Sequence, residues 1–98
     1  MVAKGYIVSL YHEIRDPEKL KAYKEIAEPA ALVRGARFLT RGKRVRATGI
    51  GKPLRSVVIE FPSYDDAMAH YDSVTYKKAL EALGDGVIRD LRIIEGED

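Results

Sequence analysis

The chain has 98 residues, 46% of them hydrophobic and 33% charged, with a net charge of 17 − 15 = +2 and no cysteine. That length fits one domain over residues 1–98 and leaves no room for two, and the composition is that of a globular chain rather than a disordered one. The missing thiols exclude disulfides, thiolate metal sites and a cysteine nucleophile.

Gly5 to Glu13 reads as a strand, with Tyr6, Val8, Leu10 and His12 on one face and Ile7, Ser9, Tyr11 and Glu13 on the other. Asp16-Pro17 starts a helix, because the carboxylate can accept from free first-turn amides and proline suits the first helical position. Leu20, Tyr23, Ala27 and Ala30 form its apolar stripe. Pro29 inside it predicts a kink near Glu25, and Gly35 a stop. Ala36 to Thr40 is a second strand, extended after Gly42 by Val45 to Thr48 on its own or as a hairpin arm, before a turn at Gly49, Gly51 and Pro53. Arg55 to Phe61 is the strongest strand, with Val57, Ile59 and Phe61 facing one way and Val58 and Glu60 the other. Ser63 caps a helix with Asp66 three residues on, and Ala67, His70 and Tyr71 lie on its inner side. A break at Asp72-Ser73 precedes a short helix from Thr75 to Leu83, ended by Gly84 and Gly86. Val87 to Glu95 is the last strand.

The order β-α-β-β-α-β is the ferredoxin-like pattern, an α+β fold with one four-stranded antiparallel sheet and its helices on one face. The first and last strands carry apolar residues on both parities, Ile7 with Val8 and Ile93 with Ile94. A lone subunit cannot hide both faces from water, so a second copy is expected to cover the open face, giving a homodimer through the sheet.

Gly5-Tyr6, Asp16-Pro17-Glu18 with Tyr23, Gly35 to Leu39 with Arg41-Gly42, Val58 to Ser63, Ala67, and Tyr71-Asp72-Ser73 with Tyr76 together resemble the family catalogued as domain of unknown function 1330. The resemblance runs from Gly5 to about Leu83. It implies a dimeric α-β barrel, in which the sheets of two ferredoxin-like subunits close on each other. It implies no particular activity, because the wider superfamily holds cofactor-independent monooxygenases, haem-dependent enzymes, isomerase-like proteins and ligand-sensing domains. This chain departs from the family pattern in carrying His70 where tryptophan is usual, and Gly35-Ala36 where two glycines are usual.

A small-molecule cavity is expected between sheet and helices. His70 and Tyr71 are the candidate catalytic residues, the first as a general base and the second to orient a carbonyl. Phe38, Arg41, Glu60 and Tyr76 are the candidate ligand-binding residues, with Arg41 suited to a carboxylate. Tyr6 is a further lining candidate. Such a set would suit a small anionic or aromatic ligand. Two function classes follow: a small-molecule binder or cofactor-independent enzyme acting on a small aromatic or enolisable acid, and a non-catalytic dimeric module for sensing or assembly. The plainer readings make Tyr6, Tyr23 and Phe38 core aromatics, His70 a partly exposed helix histidine, and Glu60 the structural partner of Arg41 or Arg55.

No cofactor is expected. No metal is expected either: His12 and His70 lie in different elements, and no metal-ligand spacing is present. From Pro29 to Ile59 there is no acid but eight bases, Arg34, Arg37, Arg41, Lys43, Arg44, Arg46, Lys52 and Arg55. Only Phe38 interleaves them, so the block reads as a solvated face and not as a nucleic-acid platform. No apolar run approaches the roughly 20 residues of a membrane span. The start lacks a signal-peptide pattern, and a cytoplasmic protein is expected.

Overall fold

The structure, a computed structural model, describes residues 2–42 and 44–97. Its elements in chain order are β1 (Gly5–Ile14), α1 (Pro17–Val33), β2 (Arg37–Gly42), β3 (Arg55–Phe61), α2 (Tyr64–Tyr71), α3 (Val74–Leu83) and β4 (Val87–Glu95). The strands form one sheet in the order β2-β3-β1-β4, every neighbouring pair antiparallel. This is the expected ferredoxin-like fold, with β1 and β3 at the centre.

Local chemistry sets the helix starts. Asp16 accepts from the amides of Glu18 and Lys19 at 3.0 and 3.2 Å, ahead of Pro17 in the first turn. Ser63 and Ser73 do the same for α2 and α3 through the amides of Asp66 and Tyr76, each at 3.1 Å. The buried stripe of α1 is Leu20, Tyr23, Ala27 and Ala31. The last of these replaces the expected Ala30, because the stripe continues in a four-residue step. Pro29 sits on the exposed side and the helix runs through it to Val33. Gly35 takes φ 81°, the left-handed conformation that ends the helix, and an added Cβ there would press on Pro62.

Val45 to Thr48 does not extend the sheet. Residues 44–54 form an irregular connection with a turn at Gly49, where Gly51 N–H donates to the Thr48 carbonyl at 3.0 Å. The alternation of Val45 and Ala47 with Arg44 and Arg46 is too weakly apolar to hold an edge arm on the sheet. Lys43 lies outside the described residues.

The core fills the helix-covered face in two clusters. One joins Tyr11 to Leu20, Tyr23, Ala27, Tyr76, Ala79 and Leu83. The other joins Ile7 to Ala31, Ala36, Phe61 and Ala67. Gly5 lets β1 start against the α2 N-terminus, where a Cβ would come within 2.6 Å of Tyr64 Cα. The opposite face carries Tyr6, Val8, Leu10, Val58 and Ile94 with no helix over it, and Ile94 is 45% exposed.

Candidate functional site

The helix-covered face does not pack solid. A cavity of about 40 Å³ remains between the sheet and helix α1, reaching Ile7, Val57, Ile59 and Phe38 on its apolar side and Arg55, Arg89, Tyr23 and Tyr76 on its polar side. At roughly 10–15 Å³ per water-sized group, that space holds only a few such groups.

The polar side is built from one row of the sheet. Tyr11 on β1 stands opposite Arg55 on β3 and Arg89 on β4, so the antiparallel registers set two arginines on either side of one tyrosine. Helices α1 and α3 bring Tyr23 and Tyr76 down onto this row. Arg89 Nη1 donates to the hydroxyls of Tyr11 and Tyr23 at 3.3 and 3.2 Å, and Nη2 donates to that of Tyr76 at 3.1 Å. The guanidinium carbon lies 4.8 Å from the centre of the Tyr23 ring. The Tyr23 and Tyr76 hydroxyls share a hydrogen bond of 2.7 Å, their rings edge to face.

No carboxylate takes part. Among the described residues, neither Arg55 nor Arg89 has an acidic partner, and Arg55 Nε is buried without any hydrogen bond. A guanidinium carries five N–H donors. Arg89 spends three on the tyrosines, leaving one on Nη2 and the one on Nε. The hydroxyls have three protons between them and use one in the Tyr23–Tyr76 bond. The cluster therefore has donors in excess and no anionic acceptor. Burial disfavours the Arg89 charge, but the oxygens of Tyr23 and Tyr76 outweigh it and hold its pKa above the ordinary value. Burial pushes the Tyr76 and Tyr11 hydroxyls upward, so both remain phenols that donate.

His70 closes the inner end. It is 2% exposed, packed with tilted rings between Phe61 and Tyr76 at ring separations of 5.2 and 4.9 Å. Its Nδ1 is buried and has no hydrogen-bond partner. Burial, helped by the nearby Arg34 charge, pushes its pKa down to about 4. The imidazole is thus neutral at physiological pH, a hydrogen-bonding group and a poor proton acceptor.

The residues singled out from sequence divide. Phe38, Arg41, His70 and Tyr76 all line the cavity. Arg41 is already engaged, stacked 4.2 Å over Phe38 and bridged to both Glu28 oxygens at 2.9 and 3.0 Å. Tyr71 packs behind the Tyr76 ring at 5.0 Å, outside the lining. Glu60 and Tyr6 lie on the opposite sheet face. There the Tyr6 hydroxyl donates to Glu60 at 3.2 Å and Arg37 approaches it at 3.5 Å. Register explains this: Glu60 stands opposite Tyr6 and Arg37, whereas the expected partners Arg41 and Arg55 stand opposite Val57 and Tyr11 on the covered face.

Arg55, Arg89 and Tyr11 were missed as site residues. A signal exists in β4, where Val87, Arg89, Leu91 and Ile93 share one parity. A charge in an otherwise apolar row marks a cation on the covered face. Among the described residues, no group of three or more histidines, aspartates or glutamates could hold a metal ion. None of the helices described is long and apolar enough to cross a membrane.

Sheet order, strand directions and one-sided helices define a ferredoxin-like α+β protein. More narrowly, the chain belongs to the family described as domain of unknown function (DUF1330), whose model matches residues 4–97. No curated protein matches the sequence. Among solved structures, it is similar to the protein RPA0582 of unknown function from Rhodopseudomonas palustris, at 15% identity and a TM-score of 0.76, covering 100% of this chain and 85% of that one. It is similar to a dimeric ferredoxin-like protein of unknown function from Thermobifida fusca, at 16% identity and a TM-score of 0.59, covering 97% and 92%. It is also similar to a "putative antibiotic biosynthesis monooxygenase" from Nitrosomonas europaea, at 18% identity and a TM-score of 0.58, covering 95% and 97%. At these identities the likeness is one of fold.

Proposed function

We propose that this protein binds a small organic acid in the cavity between sheet and helices, and does so as a homodimer paired through the open sheet faces. One observation carries the ligand reading: Arg89, half-buried on the cavity wall, meets three tyrosine hydroxyls and no carboxylate. The hydroxyl oxygens favour the Arg89 charge, but they carry no negative charge of their own, so the cation has no counter-ion. An incoming carboxylate supplies the missing charge and accepts the spare N–H and O–H donors of the cluster. Arg55, on the far side of Tyr11, adds a second unpaired cation.

The cavity volume of about 40 Å³ favours a short aliphatic acid over an aromatic one. Binding, rather than proton abstraction by His70, is the role the site supports, because a neutral imidazole with a pKa of about 4 is a weak base. For the pairing, the support is the uncovered apolar surface of Tyr6, Val8, Leu10, Val58 and Ile94.

Calorimetric titration with acetate, propionate and lactate, against their uncharged amides, tests the ligand reading. Saturable binding of acids and none of amides is expected. Arg89→Met should weaken it by at least about tenfold, the loss of one charged hydrogen-bonding partner. Equal response to acid and amide would overturn the reading.

A further inference from the structure

An acid on Arg89 leaves a second cation, Arg55, on the wall of the same cavity. The two arginines leave the sheet on either side of Tyr11, which stands opposite Arg55 on β3 and Arg89 on β4. Two strand spacings, roughly 10 Å, separate their backbones. Both side chains reach the ring between them: the guanidinium carbon of Arg55 lies 5.8 Å from the Tyr11 ring centre and that of Arg89 5.9 Å. One tyrosine ring therefore carries a guanidinium from each neighbouring strand.

Neither guanidinium is saturated. Beyond its bonds to three tyrosines, Arg89 keeps one proton on Nη2 and the one on Nε. In Arg55 only Nε is sealed off without a partner. Its Nη1 and Nη2 make no hydrogen bond among the described residues and, unlike Nε, keep accessible surface. The chain supplies no acid for either group. Glu28 is the one carboxylate on the cavity lining, and it is committed to Arg41 at 2.9 and 3.0 Å. The lining is thus left with at least two positive charges beyond its own acid.

Resting on the acid-binding reading, we infer that the ligand is a short dicarboxylate, one carboxylate on Arg89 and the other on the outer nitrogens of Arg55. Three points select this class. A monoacid pairs one cation and leaves the other bare in a setting where an unpaired charge is costly. Two carboxylates on one chain match two guanidinium groups rooted on separate strands better than a single compact anion does, because each planar fork takes its own planar partner. The free space of about 40 Å³ keeps the link between the carboxylates to the shortest members of the class, with Val57 and Ile59 beside it.

The test compares malonate with malonamate, its monoamide, which keeps the shape and loses one charge. Calorimetry on the wild-type protein at neutral pH needs no variant and is expected to show malonate binding at least about tenfold more tightly, the worth of one charged hydrogen-bonding partner. Arg55→Met should bring the two affinities together, whereas Arg55→Lys, which keeps the charge, should retain a preference for malonate. Inorganic phosphate, titrated alongside, should bind more weakly than malonate. Equal affinities for malonate and malonamate, a preference that survives Arg55→Met, or phosphate binding as tight as that of malonate would overturn the dicarboxylate assignment and leave the anion site at Arg89 standing. Failure of malonate, malonamate and acetate alike to bind would overturn that site and this assignment with it.

Discussion

The two faces of one sheet treat charge differently. On the open face, where water is at hand, the arginines have acids beside them: Arg37 meets Glu60 at 3.5 Å and Arg92 meets Asp90 at 3.2 Å. On the covered face, where an unpaired cation costs more, the half-exposed Arg41 has Glu28 at 2.9 Å, but Arg55 and Arg89 have no acid among the described residues. Elementary electrostatics predicts the reverse distribution. Under the proposed function, these are the two cations that an incoming anion pairs. The apolar surface is distributed in the opposite sense. Core residues such as Phe61 and Ala67 are sealed under the helices, whereas Val8, Val58 and Ile94 look outward without a cover.

The largest expected effect comes from the covered face. Phe61→Ala removes a ring that is 0% exposed and should cost about 3–5 kcal/mol in urea unfolding. A loss near 1 kcal/mol would mean that the face is loosely packed. The second effect is a pH dependence. Burial and the Arg34 charge hold His70 at about 4 against an ordinary value of 6.5, so the unfolded chain binds a proton more readily than the folded one between those values. Stability from this group is complete above pH 6.5 and is lost as pH falls toward 4, by up to roughly 3 kcal/mol. Unfolding curves at pH 7 and 4.5 should show the fall, and His70→Phe should flatten it; an unchanged slope in the variant would place the dependence elsewhere.

The open face gives a different signature. Val58→Lys leaves the covered core intact, so circular dichroism should stay native while sedimentation at micromolar concentration shifts from dimer to single subunit. A wild-type protein that already sediments as one subunit would remove the pairing from the account. The smallest effect is expected at Arg41. Its bridge to Glu28 is solvent-exposed, so Arg41→Gln should change stability by less than about 1 kcal/mol and leave acid binding as it was. A tenfold loss of affinity there would move the anion site from Arg89 to Arg41.

Periodicity made the strands, the caps and the ferredoxin-like order legible, because Asp16-Pro17 and Ser63 act within one turn and Val57, Ile59 and Phe61 alternate without interruption. The segment after Gly42 reads as a further strand or hairpin arm because Val45 and Ala47 alternate with polar residues, but it lacks the apolar surface to dock. For the site, His70, Phe38 and Tyr76 could be found as residue types on inward faces, and all three line the cavity. Arg89 could not be chosen by type, since its meaning depends on Tyr11, Tyr23 and Tyr76, separated from it by 78, 66 and 13 positions and joined only by register and helix packing. Glu60 was placed with Arg41 or Arg55 because pairing across strands is invisible until the register is known; its actual neighbours are Tyr6 and Arg37.

The central claim is that Arg89 and Arg55 await an anion. Nitrogen spectra of the arginine side chains during a lactate titration at pH 7 test it directly, with Arg89→Met and Arg55→Met used for assignment. Saturable shifts of the Arg89 and Arg55 guanidinium signals are predicted, while those of Arg37 and Arg92 stay still. Shifts confined to the exposed arginines, or none at Arg89, would contradict it.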